Sequence, residues 1–331
     1  ISTMINKPIE LKPQDFTNSL NKVREELDFL LKSSPEIIRA QTEHLSKTSG
    51  KFIRAVSLLA CAEDGEGLIS PDAVRLAVSI ELLHLATLVH DDVIDDSSVR
   101  RGIPTLHREF GKKPAVICGD YLFCLALKTA YGVSRKEEYF GYDIPDYMSR
   151  ICLGELMQDV NNRNFNLTER KYLRIISGKT AALFEAGFHA GAMLCDEAKE
   201  QVKLYSRLGH FVGMIFQLTD DCIDYESSEE EAKKPVTLDF EQGVITLPLI
   251  YAFRKNPGLK QRALEGNISK EEIKVAVNDA GGVEYTRFVS KKYYDKARQI
   301  INRLNAHNDK KARLTAILDK AYYGLGGVNI G

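Results

Sequence analysis

VSIELLHLATLVHDDVIDDSSVRRG (Val78–Gly102) decides the reading of this chain. An almost wholly apolar run drives into four aspartates within six positions, and two arginines follow. An α-helix turns about 100° per residue, so with His84 at zero Asp91 falls near −20° and Asp95 near +20°. The three share one stripe, and Asp92 points off it. Like charges one turn apart repel, and carboxylates near a helix C-terminus oppose the macrodipole. A solvated acidic terminus would explain one such cluster. FQLTDDCIDY repeats it: Asp220 and Asp224 share a face, with Gln217 and Gly213 on it in the turns before. Two acid clusters, each ending a helix apolar enough to be buried, call for a cation between them.

The chemistry of the ligands narrows the cation. Carboxylates on one helical face suit Mg²⁺, which keeps several waters and prefers a few carboxylates plus substrate phosphates. The EF-hand loop spacing that calcium would need is missing, as are His and Cys at zinc-ligand spacing. Phosphates held by such metals need basic partners. Lys51 and Arg54 open a helix in SGKFIRAV, and Arg100 and Arg101 follow the first cluster. Lys179 and Thr180 open a small-residue helix in SGKTAALFEAG, and Lys233 and Lys234 follow the second cluster. Each alone is ordinary surface chemistry; their placement beside acid clusters or at buried helix starts is not.

Outside the clusters the periodicity is helical nearly throughout. Phe16, Leu20, Val23, Leu27, Leu30 and Leu31 lie at helical spacing, and Ser70 with Pro71 reads as an N-cap and first helical residue. Pro248 argues against a central strand in VITLPLI, which is placed at a helix start. Three amphipathic segments close the chain, near 269–280, 283–305 and 309–323. Strand alternation with hairpin turns is absent. The fold expected is all-α, ten or more helices in one large bundle about a central hydrophobic cavity, a single domain over 4–331. Residues 1–3 read as a remnant ahead of a native start at Met4.

With 331 residues and 44% hydrophobic content the chain can bury a large core. Lys plus Arg (45) nearly balance Asp plus Glu (46), so no global field favours nucleic acid or acidic membranes. No apolar run is expected to reach membrane-spanning length, about 18–20 residues. The six cysteines show no CxxC spacing and read as buried, reduced thiols of a cytoplasmic protein.

GKFIR, ELLHLATLVHDDVIDDSSVRRGIPTLH, GDYLF, GELMQD, GKTAALFEAG, FQLTDDCIDY and KPVTLDFEQGVITLPLIYA, in this order, resemble the trans-isoprenyl (polyprenyl) diphosphate synthases of long-chain type. The resemblance implies that Asp91, Asp95 and Asp220 hold three Mg²⁺ ions on an allylic diphosphate, with Asp92, Asp221 and Asp224 in support. It implies that Arg100, Lys179 and Lys234 contact that diphosphate. It assigns Lys51, Arg54, His84 and Arg101 to isopentenyl diphosphate, and puts the oxygens of Thr180 and Gln217 near the cationic carbons. Ionisation would expel pyrophosphate, the isopentenyl double bond would attack the allylic cation, and a proton would leave to pyrophosphate. Family members are mostly homodimers, which makes a homodimer the expected assembly. Two departures stand out. Ala55 replaces the proline of GKxxRP, and Val244 stands where a lysine is common, leaving Lys233 or Lys234 to carry that contact.

Bulky aromatics at the positions of Ala86 and Thr87 floor the pocket of short-product members. Both are small here, so a deeper pocket and a long product for a quinone side chain are expected, with geranylgeranyl diphosphate as the medium-chain alternative. Tyr121, Leu122, Phe123 and Leu125 are the candidates for the next floor. A class I terpene cyclase would lack Lys51, Arg54 and Arg101, and a catalytically silent partner subunit would lack aspartates of one motif.

Overall fold

The computed structural model describes residues 12–47, 50–134, 144–195, 197–226 and 239–324. Its spine is two long helices, each ending in one acid cluster. Helix α4 (Pro71–Ile94) follows α1 (Phe16–Lys32), α2 (Glu36–Ser46) and α3 (Ile53–Ala62). Ser70 caps α4 by accepting from the Ala73 amide, with Pro71 in the first turn, as the sequence suggests. After α5 (Leu106–Phe110), helix α6 (Lys112–Ala130) packs along α4. Then come α7 (Ile144–Val160), α8 (Glu169–Ile176), a π-helical turn (Ser177–Ala181) and α9 (Ala182–Leu194). The second long helix is α10 (Lys199–Glu226). The C-terminal segments are α11 (Asp239–Gln242), α12 (Leu247–Lys255), α13 (Pro257–Leu264), α14 (Lys270–Asp279), α15 (Gly282–Arg303) and α16 (Asn308–Tyr323).

Two main apolar cores share α10. Val202, Tyr205, Leu208, Val212 and Ile215 join the core of α1, α3, α4, α6 and α9. Met214, Leu218, Cys222 and Tyr225 belong to the core of α8 and α12 to α15. Fully buried leucines such as Leu58, Leu82 and Leu208 each contribute about 1.5–3 kcal/mol. The second acid cluster is thus anchored on both sides.

Three features depart from the sequence reading. A hairpin does form: β1 (Val99–Arg100) pairs antiparallel with β2 (Ile103–Pro104). Its turn residues, Arg101 and Gly102, have φ of 52° and 82°, as a type I′ turn requires. Secondly, α4 is long and apolar enough to cross a membrane by composition, the one such helix among the described residues. Over half of its apolar window is buried in the bundle and its end carries the first acid cluster. Thirdly, Cys61, Cys118 and Cys222 are buried, but Cys124 and Cys152 are exposed.

Candidate active site

Asp91 is half-buried and Asp95 exposed at the end of α4, while Asp92 turns inward, as the helical wheel predicts. Burial pushes the Asp92 carboxyl up, and Arg100 opposes that shift. Nε of Arg100 donates to both Asp92 oxygens, at 2.7 and 2.8 Å. The hairpin gives the paired arginines different partners. Arg101, at the tip, lays its guanidinium where a side chain on Gly50 would stand.

Arg101 and His84 line a cavity of about 370 Å³ with Phe52, Glu81, Leu85 and Leu88, and Arg54 lies within electrostatic reach of both. Burial pulls the Arg54 pKa down to about 10, with Glu81 opposing and Arg101 adding, so its charge survives at neutral pH. Its Nε is buried without a protein partner, and its guanidinium lies 4.9 Å from the Phe184 ring centroid. Burial, then Arg54 and Arg101, hold His84 well below its usual range, so it is neutral there. Lys51 is exposed at the head of α3. Glu81 accepts from the Ala55 amide at 2.9 Å, which clarifies the missing proline. Alanine at 55 keeps an N–H in the first turn of α3, and the buried carboxylate satisfies it.

Lys179 sits on the π-helical turn, the wide-turn irregularity often found at functional sites. Its Nζ donates to Glu155 Oε1 at 2.8 Å. Burial alone would lower the Lys179 pKa, but Glu155, then Asp91 and Asp95, hold it raised. The contact depends on a close crossing of α7 and the π turn. A Cβ on Gly154 would stand 2.2 Å from the Lys179 amide nitrogen and 2.6 Å from the Gly178 carbonyl carbon. Gly154→Ala is therefore expected to cost about 1–3 kcal/mol of stability by overpacking. Displacing Lys179 is expected to lower kcat by about a hundredfold. Thermal melts and steady-state kinetics of the variant check both.

At the end of α10, Asp220 is exposed, Asp224 half-buried and Asp221 fully buried. Asp221 is held on both oxygens: the Tyr172 hydroxyl donates to Oδ2, and Gln217 Nε2 donates to Oδ1 at 2.7 Å. Thr180 Oγ1 donates to Gln217 Oε1 at 2.7 Å. The Asp239 amide donates to Asp224 Oδ2 at 3.2 Å. Burial, then Asp224, Asp221 and Asp220, push the Asp239 carboxyl well above its usual range. Lys179 opposes that shift, so one lysine lies within electrostatic reach of both acid groups. Lys233 and Lys234 lie outside the described residues.

Four residues of the site went unassigned in the sequence: Glu155, Glu81, Tyr172 and Asp239. Glu155, Glu81 and Asp239 lie inside the quoted motifs, but only the fold pairs them with partners. Tyr172 carried no signal beyond its place on an apolar face.

Among the described residues no three Asp, Glu, His or Cys side chains form a group that could hold a metal ion by themselves. The donor set nonetheless fits a hard cation that takes its remaining oxygens from substrate phosphate and water. Asp91 is the clearest sign: burial, then Glu155, push its carboxyl up to about 7, with Lys179 opposing and Asp95 adding. A carboxylate group raised in this way is short of nearby positive charge, which a divalent ion would supply.

A helical bundle with two acid-ended helices, one lysine serving both, and a second basic cavity has the architecture of the isoprenoid synthases. The chain belongs to the polyprenyl synthetase family, whose model matches residues 35–280, and it is accordingly a prenyltransferase. It is 33% identical over 294 residues to heptaprenyl diphosphate synthase component 2 of Geobacillus stearothermophilus, covering 87% of this chain and 90% of that one. The crystal structure of heptaprenyl diphosphate synthase from Staphylococcus aureus superposes with a TM-score of 0.86 at 31% identity, covering 94% and 98% of the two chains. A polyprenyl synthase from Caulobacter crescentus CB15, complexed with calcium and isoprenyl diphosphate, gives 0.82 at 29% identity, covering 92% and 94%. The family is magnesium-dependent and uses isopentenyl and allylic diphosphates.

Proposed function

We propose that this chain condenses isopentenyl diphosphate with an allylic diphosphate and repeats the step to a long-chain polyprenyl diphosphate. The observation that carries the reading is the pairing of two distinct basic sites. Lys179 serves the acid-ended helices, and His84 and Arg101 line a separate cavity with Arg54 within electrostatic reach of both. Two diphosphates need two such sites, one to be broken and one to stay intact.

In this reading Asp91, Asp95 and Asp220 hold three Mg²⁺ ions, which supply neutralisation of the charge growing on the leaving diphosphate. Asp92, Asp221 and Asp224 steady that group from behind. Lys179 and Arg100 face the same diphosphate, and Lys234 joins them. Arg54, Lys51, Arg101 and a neutral His84 bind isopentenyl diphosphate. The apolar walls exclude water from the allylic cation until the isopentenyl double bond closes on it. Thr180 and Gln217 place oxygens beside that cation.

Incubation with labelled isopentenyl diphosphate, an allylic primer and Mg²⁺ is expected to yield prenyl diphosphates of more than about twenty carbons, a tail longer than two turns of α4. Absence of any elongated product would overturn the reading, and an endpoint at geranylgeranyl diphosphate would limit it to medium chains.

The assembly proposed is a homodimer placed in the cytoplasm. Val116 and Ile117 on α6, and Leu153, Leu156 and Val160 on α7, are exposed apolar groups that a second copy would cover. Sedimentation is expected to give twice the 37.2 kDa chain mass. A monomer that becomes active only with a different chain would replace the homodimer by a two-component enzyme.

A further inference from the structure

Tyr172 is buried on α8, and its hydroxyl donates to Asp221 at the end of a hydrogen-bond chain that runs through Gln217 to Thr180. The direction of that chain is not free. Gln217 turns its NH₂ inward to Asp221 Oδ1 and its carbonyl oxygen outward to Thr180. That oxygen then takes the single hydroxyl proton of Thr180. Thr180 is left with lone pairs and no proton to offer.

We infer that Tyr172 is a positioning residue, which clamps Asp221 and thereby fixes the Asp221–Gln217–Thr180 chain so that Thr180 presents only lone-pair density to the allylic cation. The inference rests on the prenyl-transfer reading above. Oriented dipoles stabilise developing charge without reorganising during the reaction, and a reversed dipole would do the opposite. Without the phenol, Oδ2 of Asp221 loses its donor and the carboxylate is free to rotate. That rotation carries Oδ1 out of line with Gln217 Nε2, so the amide is no longer held in one orientation. Once its amide flips, the NH₂ faces Thr180, and the hydroxyl proton turns into the pocket. The phenol itself is a dependable donor, because burial and the neighbouring Asp221 charge keep its proton far above the usual tyrosine range. The ring also packs in the core of α10 and α12 to α15, so Tyr172→Phe keeps the packing and removes one hydroxyl.

The test is a double-mutant cycle on a wild-type enzyme first shown to elongate; a wild type that does not elongate refutes the prenyl-transfer reading instead. Tyr172→Phe is expected to lower kcat by about tenfold, the scale of one lost hydrogen bond to a charged group. KM for both diphosphates should stay within about twofold, since neither phosphate site is touched. In a Thr180→Val background, where there is no hydroxyl to orient, adding Tyr172→Phe should change kcat by less than about twofold. In Thr180→Ser the tyrosine change should again cost about tenfold. An equal loss in the wild-type and Thr180→Val backgrounds would reduce Tyr172 to packing and overturn the inference, as would an unchanged kcat in the single variant. If Tyr172→Phe does not fold, Gln217→Met cuts the same chain in the middle. Because Gln217→Met also removes Gln217's own oxygen, its loss should be smaller in Thr180→Val than in wild type rather than absent, and fully additive losses would refute the relay.

Discussion

Asp91→Asn is expected to lose about three orders of magnitude in kcat, the scale of several kcal/mol of charge stabilisation. In a chelator it should nevertheless melt roughly 2–5 °C above wild type. The two effects have one cause. Burial first, then Glu155 and Asp95, push the Asp91 carboxyl from 3.8 up to about 7, against Lys179 and Arg100. A carboxyl whose folded pKa is raised costs nothing below its unfolded value, since it is protonated in both states. The cost grows as pH rises from 3.8 toward 7 and is complete above that. The metal-free protein should therefore lose stability across that window, and the asparagine variant should lose less. Melting curves from pH 4 to 8 in chelator, with elongation assays at pH 7.5, check both halves. A variant that melts below wild type, or keeps activity within about tenfold, would remove Asp91 from the cation-holding role.

The helices and both aspartate stripes were legible because each rests on local periodicity. The wheel angle alone separates outward Asp91 and Asp95 from inward Asp92, and Arg100 now accounts for the latter. The pairing of distant groups was not legible. Nothing in GELMQD says that Glu155 reaches Lys179, because the contact depends on Gly154 and Gly178 letting two backbones cross. The hairpin was missed for a related reason. Two residues per strand are too short for alternation, and only φ at Arg101 and Gly102 reveals the turn. The floor candidates on α6 were drawn from composition. Leu122 lies in the main core, and the Tyr121 hydroxyl donates to Ser34 Oγ at 3.3 Å, toward the end of α1.

Thr87→Tyr is expected to shorten the main product by about two five-carbon units or more, at roughly 5 Å per unit from ordinary bond lengths. The stripe below Asp91 runs through Thr87, Leu83 and Ile80, about 6, 12 and 16 Å along the helix. Thr87 is half-buried and donates its hydroxyl to the His84 carbonyl at 2.8 Å, so it leaves little bulk on that face. Ala86 is buried in the main core, so depth is read from Thr87. Farther down, Leu83 and Ile80 pack against Ile151, Ala182 and Leu183. Ile80 packs directly over Gly187, where a Cβ would stand 3.2 Å from Ile80 Cδ1, so its side chain fills the stripe at that depth. A tyrosine at 87 closes the stripe one turn below Asp91, ahead of Leu83 and Ile80. Leu83→Ala or Ile80→Ala opens it and should lengthen the product by about one unit. Both directions can be read from one reverse-phase separation of labelled products. If Thr87→Tyr and Leu83→Ala left the same chain length as wild type, the tail would not run down this stripe, and its end would have to be sought along another face of the bundle.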